Sequence, residues 1–298
     1  MADSIAVGVP YIYRTDALKR LLRSANDVDI DTFYIADNSK GKIDSELDIT
    51  DYDFDVEVLD LAYHVGQGAC RSAIASAFEE DYLVVVDSDM ELPRNLHVLK
   101  KILQGNRELG GVSGVLIEGN RIRSGCRNIF ELPLFLGREA LEIGIRGEPE
   151  LHDESGSVIG FFDYLTNAAM FRRECFEDYS WDESMYNMAH EDFYVGHFHQ
   201  SEWKFACCPE VFFRHYRGEA GTYPSEFREK KEMETAEARF LRKWGYSEFV
   251  WGKQREWLSN DLNNFKLKYL VKEIIPPQYY LLPRQIKQVF INQHLETK

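Results

Sequence analysis

Two carboxylates sit one residue apart in Asp87-Ser88-Asp89, directly behind the apolar run Tyr82-Leu83-Val84-Val85-Val86. In an extended chain, residues i and i+2 point the same way, so both side chains are expected to face one spot just beyond a strand. Mg²⁺ and Mn²⁺ favour one or two carboxylates together with phosphate oxygens and water. The triplet therefore suits a cation shared with a diphosphate. A merely solvated acidic loop gives the same three residues, and such triplets arise by chance in an acidic chain. What favours the metal reading is the place: a β-branched run, apolar throughout, reads as a central strand buried on both faces.

The elements needed to hold that strand end are legible around it. Residues 4–9 form a short apolar run closed by Pro10. Asp16 is placed to cap a helix running to Ala25, with Leu18, Leu21 and Leu22 on one face. Strands are expected at 32–36 and 55–61, then a helix over 66–79 opened by Gly66 and Gly68. After the strand 82–86, Pro93 opens another helix, and 112–117 gives a further strand. This alternation predicts an α/β sandwich with a mostly parallel sheet, whose ligands sit at the carboxyl ends of the strands. Residues 126–157 read as loops with one helix at most. Strands return at 158–164 and 167–171. Pro224 is expected to open a charged helix to Trp244, ended by Gly245.

Bulk properties exclude several classes. The chain has 298 residues, 44% hydrophobic and 29% charged, as in ordinary globular proteins. Its formal net charge of -15 speaks against nucleic acid as a partner. The five cysteines (Cys70, Cys126, Cys175, Cys207, Cys208) contain no CxxC pair, and buried thiols in a reducing compartment are expected. No signal peptide and no run long enough to span a membrane are seen, so a cytoplasmic location is expected.

Further motifs, in order, carry a resemblance. Val9-Pro10-Tyr11 ends the first strand, and Asp37-Asn38-Ser39 follows the second. Gly66-Gln67-Gly68-Ala69-Cys70-Arg71 opens a helix, and the D-x-D comes about 16 residues later. Trp181-Asp182-Glu183 precedes Glu191-Asp192, and His215 lies in Phe213-Arg214-His215-Tyr216. The chain from about residue 4 to 221 thus resembles the inverting family 2 glycosyltransferases of the GT-A fold. The resemblance implies a GT-A domain over residues 1–222, and the helical pattern after Pro224 adds an expected helical C-terminal extension over 223–298. It implies that Pro10, Tyr11, Asp37, Arg71 and Asp87 meet a nucleoside-diphosphate sugar, a UDP- or GDP-sugar. Asp87, Asp89 and His215 would hold Mn²⁺ or Mg²⁺. Asp192, with Glu191 beside it, would act as general base on an acceptor hydroxyl. Without that resemblance, Glu191-Asp192 reads as the acidic first turn of a helix, and His215 as a surface histidine. Arg71 is followed by Ser72 where the family has Asn, and the nucleotide turn carries one acid instead of two. The Gln-x-x-Arg-Trp signature of processive synthases is absent near 193–204, which implies single additions.

A sugar nucleotidyltransferase shares the architecture but opens with a glycine-rich loop, where this chain has Pro10-Tyr11-Ile12-Tyr13. A catalytically silent nucleotide-sugar-binding protein is the other rival. The tail changes sign: from Lys253 onward the net charge is +4, against -19 for the rest. With its Tyr and Leu residues, the tail is expected either to pack on the acidic domain or to touch an anionic membrane, where a lipid-linked glycan acceptor would be presented.

Overall fold

The computed structural model describes residues 3–39, 43, 47, 52–119, 121–216, 230–252 and 257–258. The expectations for the tail beyond Trp251 lie almost wholly outside these residues.

The chain begins with β1 (Ile5–Tyr11), α1 (Thr15–Ala25), β2 (Thr32–Asp37), β3 (Asp55–Asp60), α2 (Gln67–Ala77) and β4 (Tyr82–Val85). Strands β4, β1, β2 and β3 lie side by side in that order, all parallel. In register, Tyr11 pairs with Asp37, and Asp37 with Asp60, so the carboxyl ends of three strands finish on one level. α1 buries Leu18, Leu21, Leu22 and Ala25 on one stripe. Asp16 lies in its first turn, where the helix dipole favours an acid, and Arg14 occupies the cap position without a side-chain capping bond.

Next come β5 (Met90–Glu91), α3 (His97–Gly105), β6 (Leu109–Glu118), β7 (Arg121–Arg123), β8 (Asn128–Pro133), β9 (Glu139–Gly144), β10 (Leu151–Glu154), β11 (Ser157–Phe162) and β12 (Ala169–Arg172). The chain then forms α4 (Cys175–Asp178), α5 (Ala189–Gln200), β13 (Lys204–His215), α6 (Lys230–Trp244) and β14 (Glu248–Trp251). β12 slots antiparallel between β4 and β6, and β13 runs parallel to β6. The main sheet is therefore parallel from β4 through β3 and mixed beyond β4.

Two apolar layers cover the sheet. On one face Leu18, Leu21, Leu22, Leu99, Ile102 and Leu103 pack with Val7, Val84 and Val112. On the other, Ile74, Phe193, Tyr194 and Phe240 pack with Ala6, Leu83 and Val85. Alternation along β4 thus feeds both layers, which is why its residues are all apolar. α6 belongs to the second layer through Ala236 and Phe240.

Residues 126–157 differ from expectation. They hold β8, β9 and β10 rather than loops. β9 pairs antiparallel with β8 and parallel with β14, forming a separate three-stranded sheet. β9 is buried from Ala140 to Gly144, held between its neighbour β8 and a strand about a hundred residues later, β14. Local composition carries no trace of such pairing. All five cysteines are free and buried. No helix among the described residues is long and apolar enough to cross a membrane.

Candidate active site

The site is built at the carboxyl edge of β4, β1 and β2. β4 ends at Val85, and Val86 still bonds across to Gly8 (N to O, 3.3 Å). The chain then turns: Met90 N donates to Asp87 O at 3.1 Å, and residues 88 and 89 form the turn. The period-2 rule therefore fails at the place where it was applied, and the two carboxylates diverge. Asp87 accepts a bond from Asn167 Nδ2 (3.1 Å), and its Oδ1 lies 3.6 Å from Arg71 Nη2. Asp89 goes the other way, pairing with Arg14 Nη1 at 2.7 Å.

His215 arrives through strand register. β5 pairs antiparallel with the end of β13, setting His215 opposite Met90, and Tyr216 N donates to Asp89 O at 2.9 Å. His215 Nε2 lies 3.5 Å from Asp89 Oδ1, while its Nδ1 meets Glu118 Oε1 at 2.8 Å. Glu118 in turn takes both ends of the Arg123 guanidinium, at 3.0 and 2.9 Å. Burial works against the His215 charge. The hydrogen bonds to Asp89 and Glu118 outweigh it and raise its pKa to about 9. Glu118 is held far below the usual carboxylate range, first by its bond to His215 and then by Arg123. Burial pushes Asp89 up, but His215 and Arg14 outweigh it and leave it lowered.

Can these residues take a divalent cation? Once a cation displaced the proton that His215 carries between Asp89 and Glu118, Asp89 and His215 would offer one carboxylate oxygen and one imidazole nitrogen facing each other, a donor pair that suits Mn²⁺ better than Mg²⁺. Those two fit. Asp87 does not join them, because the turn points it at Arg71 and Asn167. Among the described residues, no group of three or more His, Cys, Asp or Glu side chains converges on one ion position. Of the three expected ligands, Asp89 and His215 face each other in this structure while Asp87 is turned to Arg71 and Asn167, and phosphate and water would supply further ligands.

Asp37 is 0% exposed. Its Oδ1 accepts from Ser39 N (2.7 Å) and Ser39 Oγ (2.5 Å), the local turn that fixes its rotamer. Its Oδ2 is buried with no hydrogen-bond partner among the described residues. Buried acceptors are ordinarily satisfied, so an orphan at a strand's carboxyl end is a candidate for bonding a ligand N–H. Tyr11 behaves otherwise. Its ring is buried in the layer under α1, and its hydroxyl bonds Thr15 Oγ1 at 2.7 Å. The ring thus helps pack β1 against α1. Pro10, on the opposite side of the strand, is half-buried.

Arg71 is also 0% exposed. Its Nη1 donates to His190 Nδ1 at 3.3 Å; His190 can accept because its other nitrogen donates to Leu165 O at 2.7 Å. Burial and the Arg71 charge lower the His190 pKa to about 3, so the ring is neutral. Arg71 Nε and Nη2 are buried without a hydrogen-bond acceptor among the described residues. Gly68 explains how α2 comes so close to the 182–186 segment. A Cβ there would sit 2.5 Å from Asp182 O and 2.6 Å from Met185 O.

The acids of α5 point to different places. Asp192 is 0% exposed and bonded on both oxygens. Tyr179 OH donates to Oδ2 (2.7 Å), and Trp244 Nε1 donates to Oδ1 (2.9 Å). Lys243 Nζ lies 2.9 Å from Oδ1 and 2.7 Å from Asp182 Oδ2. Glu191 is half-buried, and its Oε2 has no hydrogen-bond partner among the described residues. The sequence signalled Asp87, Asp89, Arg71 and His215. It gave no local signal for Arg14, Glu118, Asn167 or Lys243, which reach the site through tertiary pairing.

No family model matches the sequence, and no curated protein matches it. Solved structures do match in shape. One is Staphylococcus aureus TarS 1–349 in complex with UDP-GlcNAc, with a TM-score of 0.51 and 13% identity over 80% of this chain and 66% of that one. Another is GalNAc-T7 with UDP, GalNAc and Mn²⁺, with a TM-score of 0.56 and 15% identity over 80% of this chain and 48% of that one. The chain thus spans less than two thirds of either structure's length. At such identities the likeness establishes the fold: the α/β, GT-A architecture that the sequence implied.

Proposed function

We propose that this chain is an inverting glycosyltransferase that moves a sugar from a nucleoside-diphosphate donor to an acceptor hydroxyl on a glycan or lipid-linked glycan. The observation that carries the proposal is one edge with three complementary features. Asp37 Oδ2 is an orphan acceptor, suited to a base N–H. Buried Arg71 keeps two orphan donor atoms beside Asp87, suited to phosphate oxygens. Asp89 and His215 form a donor pair for a cation. The shape-matched structures hold UDP-GlcNAc in one case and UDP with Mn²⁺ in the other, which agrees with that chemistry.

Asp89 and His215 would hold the cation, whose role is to neutralise the departing diphosphate. Arg71 binds and orients the phosphates, Asn167 fixes Asp87, and Glu118 orients the His215 ring. A carboxylate at the start of α5 takes the acceptor proton as the hydroxyl oxygen attacks the anomeric carbon. One displacement of this kind inverts the configuration. Residues 1–222 make up the donor-binding and catalytic unit, and 223–298 the extension that begins with α6. Burial of Ala236 and Phe240 beside Tyr194 supports an extension built onto the catalytic layer.

The test is a thermal-shift panel of UDP- and GDP-sugars with Mn²⁺, followed by product analysis. A single stabilising donor that then releases nucleoside diphosphate supports the reading. Pyrophosphate would identify a nucleotidyltransferase, and binding without turnover a silent binding protein.

A further inference from the structure

We infer that Glu191 is the carboxylate that takes the acceptor's proton, and that Asp192 is the anchor fixing the start of α5 against Lys243 and Trp244 of α6. The inference rests on the transferase reading above and divides the two acids between two tasks. Neighbours on a helix point about 100° apart, so one position cannot serve both directions. Asp192 looks toward α6. It is fully enclosed, and Tyr179, Trp244 and Lys243 use both of its oxygens. Lys243 is shared with Asp182, whose carboxylate also holds Ser184 N at 2.8 Å. A hydroxyl could meet Asp192 only if α6 withdrew.

Glu191 looks toward the donor edge. The charged and titratable groups around it are Arg71 from α2, Tyr164 after β11, and Asp192 beside it. His190, next in the chain, is neutral and holds the other side of Arg71. Arg71 also reaches Asp87, so a single guanidinium links Glu191 to the end of β4. The enclosed Oε2 is an unused acceptor at that spot. Burial raises the Glu191 pKa to about 7, with Arg71 and Tyr164 holding it back. A carboxyl so placed is a stronger base than an ordinary one and is substantially ionised at neutral pH.

In the step, the acceptor oxygen forms its bond to the anomeric carbon. The bond from that carbon to the diphosphate oxygen breaks, and its electron pair leaves with the phosphate. The acceptor's proton passes to the Glu191 carboxylate. Asp192 and Lys243 are positioning residues: they hold the first turn of α5 so that Glu191 stays beside Arg71.

The experiment uses the full chain with Mn²⁺ and the donor that gives the largest thermal shift. Release of nucleoside diphosphate is followed with water as acceptor, for the wild type and for Glu191→Gln, Asp192→Asn and Lys243→Met. Glu191→Gln is expected to lower the rate by about 10²–10⁴-fold while the donor's thermal shift is kept. It should also abolish the rise of rate with pH that is expected of the wild type near neutrality. Asp192→Asn and Lys243→Met are expected to lower Tm and to keep the rate within about tenfold, since neither removes the base. The assignment is overturned if Glu191→Gln keeps the wild-type rate. It is equally overturned if Asp192→Asn loses the rate at unchanged Tm, or if Lys243→Met raises the rate, which would make α6 a plug over Asp192. A wild type that no donor stabilises would sink the transferase reading itself, a result distinct from all of these.

Discussion

Acidic side chains meet cations in two regions of this molecule, and the two are built differently. At the end of β4, Asp87, Asp89, Arg71 and His215 share contacts yet leave buried polar atoms unused, Arg71 Nε and Nη2 among them. At the α5–α6 junction, Asp182, Asp192, Tyr179, Lys243 and Trp244 satisfy one another. Buried polar groups cost free energy unless they are paired. A saturated network therefore holds structure, whereas an unsaturated one awaits something that saturates it. Each region has an acidic pair that the sequence singles out: at the first, polar atoms stay unused, and at the second Asp192 is saturated while its neighbour Glu191 keeps one unused oxygen.

The largest effect that would sharpen this contrast is at the first region. Asp89→Ala should lower donor turnover about 10²–10³-fold, the range seen when one electrostatic stabiliser of a transition state is removed. The fold should persist, because Asp89 sits in a turn beyond the strand. Turnover assayed across an Mn²⁺ titration checks this, and an unchanged rate at saturation would falsify the metal pair.

At the second region the effect should appear in stability. Lys243→Met leaves the Asp192 carboxylate enclosed without its cation. Breaking a buried pair in this way costs about 3–5 kcal/mol, less here in proportion to the partial exposure of Lys243. Urea unfolding measures it. If the midpoint stays where it was, the junction is no anchor. Asp182→Asn should cost far less, since Asp182 is only partly buried and Lys243 keeps Asp192.

A smaller effect is expected at Asp37. Asp37→Asn can still accept from Ser39 through Oδ1, but its other end becomes a donor. Donor affinity should fall by about 1–3 kcal/mol, the cost of one mismatched buried group, with Tm nearly unchanged. Calorimetry with UDP and with GDP resolves it. Equal affinity for wild type and variant would remove Asp37 from the base contact.

Much of this was legible in the chain, and the rest was hidden for physical reasons. β4 announces itself because a strand fed by two apolar layers must be apolar at every position. The amphipathic α1 stripe is equally local. The split between Asp87 and Asp89 was not legible, because strand periodicity stops where the strand does, at Val85. Glu118 meets His215 only because β13 pairs with both β5 and β6, a register fixed by contacts almost a hundred residues apart. The roles of Glu191 and Asp192 depend on α6, whose Lys243 no local pattern links to α5.

The smallest effect tests how firmly α6 sets that junction. Gly245 follows Trp244 at the end of α6 with φ +78°, the left-handed conformation that ends helices and that glycine adopts without strain. A Cβ added there meets nothing within 4 Å, so Gly245→Ala changes backbone preference without a clash. The expected cost is about 1 kcal/mol, which lowers Tm by about 2–4 °C in a chain of this size. Because Lys243 and Trp244 lie just before this turn, fraying of the last turn loosens Asp192 before it reaches the donor edge. Differential scanning calorimetry should therefore show the small loss, while donor affinity stays at the wild-type value. A loss of donor affinity as large as that of Asp37→Asn would mean that the two regions are coupled through α5, and the line drawn between anchor and ligand site would have to move.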